Sequence, residues 1–93
     1  MEFVESERPE TWIWEGPSFE YDGHHYYPVV VESDDRFFAV AFGYYYGSCF
    51  TYTCETNILV YELREQHGDS EEWWKSMQEY YRENGFLSLC KQN

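Results

Sequence analysis

The chain has 93 residues, enough for one domain and too few to favour a large enclosed catalytic cleft. Eighteen acidic side chains against six basic ones give a net charge of −12, a field that repels nucleic acid and anionic membranes and attracts basic surfaces. Aromatic residues make up 23% of the chain and Ala39 and Ala41 are its only alanines, which disfavours a helical bundle and favours strands.

Residues 1–10 are charged and end near Pro9, as a loose or edge segment would. Thr11 to Glu15 reads as a short strand with Trp12 and Trp14 on one face, because side chains alternate along a strand. Gly16-Pro17 stops it. Asp22-Gly23 lies between the aromatic runs Ser18–Tyr21 and His24–Val31 and predicts a two-residue hairpin, since that turn wants positive φ at both positions. Pro28 predicts an edge or a bulge in the second of these strands.

A second hairpin is predicted where Glu32-Ser33-Asp34-Asp35 separates Val29–Val31 from Arg36–Phe42, with Gly43 ending or kinking the latter strand. Tyr44 to Thr53 reads as the next extended segment, interrupted at Gly47-Ser48. Glu55-Thr56-Asn57 is a predicted turn and Ile58 to Leu63 another β-rich run.

The pattern changes at Gly68. Trp73, Trp74, Met77, Tyr80 and Tyr81 recur at helical spacing, which predicts a helix over about residues 70–84. Asp69 with Glu72 forms a capping-box pattern, with Ser70 as the competing cap. Asn84-Gly85 is the predicted stop, and Phe86 to Leu89 a last short strand. The expected fold is α+β: an antiparallel sheet of about five strands with one C-terminal helix packed on one face, in a single domain spanning residues 1–93.

Cys49, Cys54 and Cys90 make an odd count, and a secreted disulfide scaffold more usually carries an even one. Cys49 and Cys54 fall on opposite faces of a regular strand. No apolar run reaches the roughly 18 residues of a membrane span, and MEFVESERPE lacks the basic start and apolar stretch of a signal peptide. These features predict reduced cysteines acting as small hydrophobes in a soluble, cytoplasmic protein.

Catalytic and cofactor chemistry find little support. There is no Gly-rich phosphate loop, and Lys75 and Lys91 are the only lysines. Adjacent His24 and His25 point to opposite faces of a strand, so they do not readily share a metal ion. No enzyme activity, cofactor or metal is expected. Stacked aromatics can bind single-stranded nucleic acid, but only beside a basic groove, which is missing.

What remains is acid interleaved with aromatic residues. The candidate partner-binding residues are Glu15, Glu20, Asp22, Asp34, Asp35, Tyr44, Tyr45, Tyr46, Glu71 and Glu72. Carboxylates accept bidentate bonds from arginine, aromatic faces stack on its guanidinium, and Tyr and Trp are common interface anchors. In an extended strand Tyr44 and Tyr46 share one face and Tyr45 takes the other, so at least one of these rings is exposed, while Phe42, Phe50 and Tyr52 go inside.

In general character the chain resembles small acidic inhibitors of phage origin, including anti-CRISPR proteins and other antagonists of host defence nucleases. It also resembles cytosolic immunity proteins that neutralise basic nuclease toxins. The resemblance rests on size, charge and aromatic content, and it transfers no residue roles. It implies an inhibitor that blocks a basic, nucleic-acid-binding partner protein by charge mimicry, as a monomer or homodimer. An immunity protein bound to a cognate nuclease is the alternative, and a small ligand-binding or hydrolytic domain built on the aromatic sheet is a more distant one.

Overall fold

Three tight turns organise the sheet. Their central pairs are Asp22-Gly23 (φ 52° and 81°), Asp34-Asp35 (51° and 62°) and Tyr46-Gly47 (52° and 81°). Positive φ at both positions matches the right-handed twist of the flanking strands, so each turn returns the chain directly into a hairpin. The computed structural model describes residues 1–92. Its strands are β1 (Val4–Glu5), β2 (Trp14–Glu15), β3 (Phe19–Tyr21), β4 (His24–Ser33), β5 (Arg36–Tyr45) and β6 (Ser48–Glu55), followed by helices α1 (Ile58–His67) and α2 (Glu71–Asn84) and a 3-10 turn at Phe86–Leu89. The antiparallel sheet has the order β1-β6-β5-β4-β2, and β3 pairs with the first part of β4.

Strand parity divides the core. Tyr26, Val30, Phe37, Ala39 and Ala41 face the helices and pack with Val60, Trp73, Met77, Tyr81, Phe86 and Leu89. The two alanines are fully buried. Their short side chains leave room for large rings to approach the sheet. Val29, Val40 and Phe42 form a smaller cluster on the opposite face, covered by Trp12.

The N-terminal segment supplies that second cover. β1 pairs outside β6 and β2 outside β4, so residues 6–13 join opposite edges of the sheet. The crossing is about 19 Å at the usual strand spacing, within reach of eight nearly extended residues. The Ser6 N–H donates to the Cys49 carbonyl at one side, the Ile13 N–H donates to the Val30 carbonyl at the other, and the Trp12 ring lies 6.2 Å from that of Phe42. Of the two forms expected for residues 1–10, Val4–Glu5 takes the edge form.

Pro28 sits inside β4 without breaking its ladder to β5. Its carbonyl accepts from the Gly16 N–H, so its backbone faces the side where the neighbouring strand is interrupted between Glu15 and Phe19. The missing N–H therefore costs no bond to β5.

Several sequence expectations are corrected. Among the described residues the sheet has six strands rather than about five, and two helices stand in place of one. Ile58 to Leu63 is helical, not extended: Asn57 caps it by accepting the Val60 N–H at 3.2 Å, and Gly68 ends it with φ 68°. Val60, with the partly buried Leu63, then packs one helix face against the core, overriding the β preference of the valine. Phe86 to Leu89 is a 3-10 turn, which buries Phe86 and Leu89 three residues apart. The Asp69 capping box does not form. Ser70 is the N-cap residue of α2, and its hydroxyl donates to the His67 carbonyl at 2.8 Å instead of accepting from the helix. Trp12 and Trp14 lie on opposite faces, because the chain is regular strand only from Trp14 onward.

The cysteines are not all reduced. Cys54 and Cys90 form a disulfide across a Cα separation of 5.5 Å. The backbone aligns them: the Asn57 N–H donates to Leu89 and the Lys91 N–H to Glu55, holding the C-terminal segment along the end of β6. Cys49 is free and packs on the opposite face from Cys54, as parity predicts, and burial pushes its thiol pKa up. Among the described residues no helix is long and apolar enough to cross a membrane.

Candidate protein-docking surface

β4 and β5 are ten-residue antiparallel strands joined at Asp34-Asp35. The Asp22-Gly23 and Tyr46-Gly47 turns therefore lie at the other end of the sheet, about 30 Å away at the usual rise per residue. α2 begins toward the Asp34-Asp35 end: the Arg64 guanidinium lies 4.4 Å from the Trp73 ring and 6.0 Å from that of Phe37. It finishes near Phe86, whose ring stacks on Phe19 at 5.4 Å.

The ten candidate residues thus form no single patch. Asp34, Asp35, Glu71 and Glu72 lie toward one end, and Glu20, Asp22, Tyr44, Tyr45 and Tyr46 at the other. Glu15 is exposed on β2 between these ends, beside a groove bordered by Arg8, Trp12, Tyr27 and Tyr44.

The second end combines rings with carboxylates. Tyr44 and Tyr45 are about half exposed, and Tyr46 is 92% exposed. The expected extended triplet is corrected here, because β5 stops at Tyr45 and Tyr46 occupies the left-handed turn. Tyr44 meets Phe42 edge-on at 6.4 Å on the face away from the helices. Tyr45 turns to the other face, 4.6 Å from His24, 4.4 Å from Tyr46 and 6.4 Å from Phe50. Phe42 is buried as predicted, whereas Phe50 and Tyr52 are half-buried. Glu20 reaches His25 at 3.9 Å, on the exposed side of the β3–β4 hairpin. Burial, with the charge of Asp22 next in weight, pushes the Tyr26 hydroxyl above its ordinary pKa.

A cavity of about 110 Å³ opens at this end, lined by Phe3, His24, Tyr26, Gly43, Tyr45 and Phe50 among others. It lies where the β4–β5 ladder stops. The last pair is Tyr27 with Phe42, although both strands run three residues further. Gly43 forms its floor: a Cβ there would come within 2.6 Å of the His25 carbonyl oxygen and 2.8 Å of the Tyr26 ring. Phe3, Tyr26, Gly43 and both histidines escape sequence reasoning as site residues. Their convergence depends on where the ladder ends and on β1 returning to the sheet, and no local pattern encodes either.

Among the described residues no group of three His, Cys, Asp or Glu is placed to hold a metal ion. Comparison with protein-family models, with curated proteins and with solved structures gives no match.

Proposed function

We propose that this protein is a small acidic inhibitor that docks its tyrosine-bearing end onto a basic, nucleic-acid-binding surface of a partner protein and blocks it. The observation that carries this reading is Tyr46. Its ring is 92% exposed while its backbone sits at φ 52°, in a turn position that Asn or Gly fills at lower cost. A large ring held in an unfavourable conformation, burying almost nothing of its own, is what a contact residue looks like before its partner arrives. Glu20 and Asp22 on the adjacent hairpin supply charges that steer a basic surface toward that ring.

The Cys54–Cys90 bond suits an oxidising compartment better than the cytoplasm, so the cytoplasmic setting expected of the chain rests on the nature of the partner alone.

The test is affinity capture on the immobilised protein at low and at raised salt, followed by elution with double-stranded DNA or with RNA. The reading expects a basic partner whose retention weakens with salt and which the polynucleotide displaces. A partner held equally well at high salt and untouched by polynucleotide would overturn it.

A further inference from the structure

We infer that the cavity where the β4–β5 ladder ends is an arginine-binding pocket, filled by a guanidinium side chain of the partner; the identity of that ligand rests on the docking reading above. Three features select it. The walls are aromatic: Phe3 and Tyr26 stack at 3.9 Å, and Tyr45 and Phe50 stand 6.4 Å apart on neighbouring strands. Aromatic faces attract cations, and guanidinium can stack flat on them. The lining also has a polar element, since the His25 carbonyl oxygen lies against the bare backbone of Gly43.

Carboxylates flank the lining without entering it. Asp22 precedes His24 by two residues, and Glu5 is the register partner of Phe50 across the β1–β6 ladder, while His24 and His25 are part of the lining itself. With a net charge of −12 behind it, the pocket favours a cation over a neutral ring of similar size. A side chain at Gly43 would press on the His25 carbonyl and the Tyr26 ring, two of the groups that line the pocket.

The experiment titrates the intact, oxidised protein with N-acetyl-arginine amide at low ionic strength, following backbone amide shifts by NMR. N-acetyl-citrulline amide is the neutral isostere and N-acetyl-lysine amide the charge control. The expected result is saturable shifts centred on Gly43, His25 and Tyr45, with an at least about tenfold weaker response to citrulline, a ratio within the range of a partly desolvated cation–π contact, and a weaker response to lysine, whose ammonium cannot stack flat on a ring. Tyr45→Leu and Phe50→Leu should each weaken the arginine response by several-fold while circular dichroism stays unchanged. An equal response to citrulline would overturn the cation, an equal response to lysine the guanidinium, and no localised response the pocket itself. If the arginine probe fails while polynucleotide still displaces a captured partner, the pocket falls and the docking reading stands. If the probe binds but no such partner is captured, the pocket stands and the docking reading falls.

Discussion

The indole N–H of Trp14 donates to the carbonyl oxygen of Trp74 at 3.1 Å, joining two residues 60 positions apart. β2 is only two residues long, and this bond, with the edge-on contact of Trp14 to Tyr81 at 5.6 Å, fastens it beneath α2. Trp14 is fully buried. Trp14→Ala should therefore cost about 3–5 kcal/mol, the usual loss for a large core ring. That is about a fifth or more of the roughly 5–14 kcal/mol expected of a domain this size. Urea unfolding followed by circular dichroism measures it, and a loss within about 0.5 kcal/mol, typical of surface sites, would contradict this anchoring role.

The Cys54–Cys90 bond closes a loop spanning 36 positions. The chain-entropy relation gives about 4 kcal/mol for a loop of that length, with measured values commonly lower. Reduction, or the Cys54→Ser/Cys90→Ser double variant, should lower the urea midpoint accordingly. Hydrogen exchange should rise first at the amides of Asn57 and Lys91, which bond across the same seam. An unchanged midpoint after verified reduction would show that those backbone bonds suffice.

Alkaline pH should destabilise the fold. Burial pushes the Tyr81 hydroxyl above its ordinary value of 10.0, and this hydroxyl donates to the Pro17 carbonyl at 2.6 Å. The native state therefore holds its proton to higher pH than the unfolded chain does. Its contribution is fully present below about pH 10 and is lost as pH rises through the raised folded value. Tyr26 and Cys49 shift in the same direction. Tyr81→Phe should cost about 1 kcal/mol at neutral pH, the net worth of one hydrogen bond, and should flatten part of the alkaline slope. Stability measured from about pH 8 to about pH 11 checks both effects, and an unaltered slope in Tyr81→Phe would mean that other groups carry the pH dependence.

The fold was legible where local chemistry decides it. Asp22-Gly23 announced its turn, and Trp73, Met77 and Tyr81 at four-residue spacing announced α2, with Gly85 as its stop. It was illegible where distant contacts decide. Ile58-Leu59-Val60-Tyr61 has strand composition, and its helix depends on an Asn57 cap and on packing against α2 and the sheet. The disulfide joins positions brought together only by the C-terminal return. Of the candidate site, parity implied that at least one ring among Tyr44, Tyr45 and Tyr46 is exposed; the exposure of all three follows from β5 ending at Tyr45 with Tyr46 in the turn. The separation of the carboxylates to opposite ends required the register of β4 and β5.

Gly43 and Gly47 flank the same tyrosines and should respond differently to alanine. At Gly43 the added Cβ would lie 2.6 Å from a backbone oxygen, which cannot swing aside as a flexible side chain would. Gly43→Ala should cost about 1–3 kcal/mol through overpacking. Gly47 has open space around it and φ 81°, so Gly47→Ala meets only conformational strain, about 1 kcal/mol. Parallel thermal melts of the two variants test the order, and a smaller loss at Gly43 would mean that β4 and β5 can part further without penalty.

Tyr46→Asn separates stability from binding. The turn holds Tyr46 at φ 52° and Gly47 at φ 81°, and Asn-Gly is the preferred pair for this geometry. The ring, 92% exposed, has little burial to lose; its main contact is Tyr45, 4.4 Å away. Relief of the backbone strain should therefore exceed the lost ring contact, and the variant should gain about 0.5–1 kcal/mol. Its affinity for the captured partner should fall at least about tenfold, since an interface anchor tyrosine is commonly worth more than about 1 kcal/mol. Urea unfolding and titration calorimetry on the same preparation read the two effects. Greater stability with undiminished binding would remove Tyr46 from the contact surface. Lower stability would mean that the Tyr45–Tyr46 contact outweighs the strain and that the ring serves the turn rather than a partner.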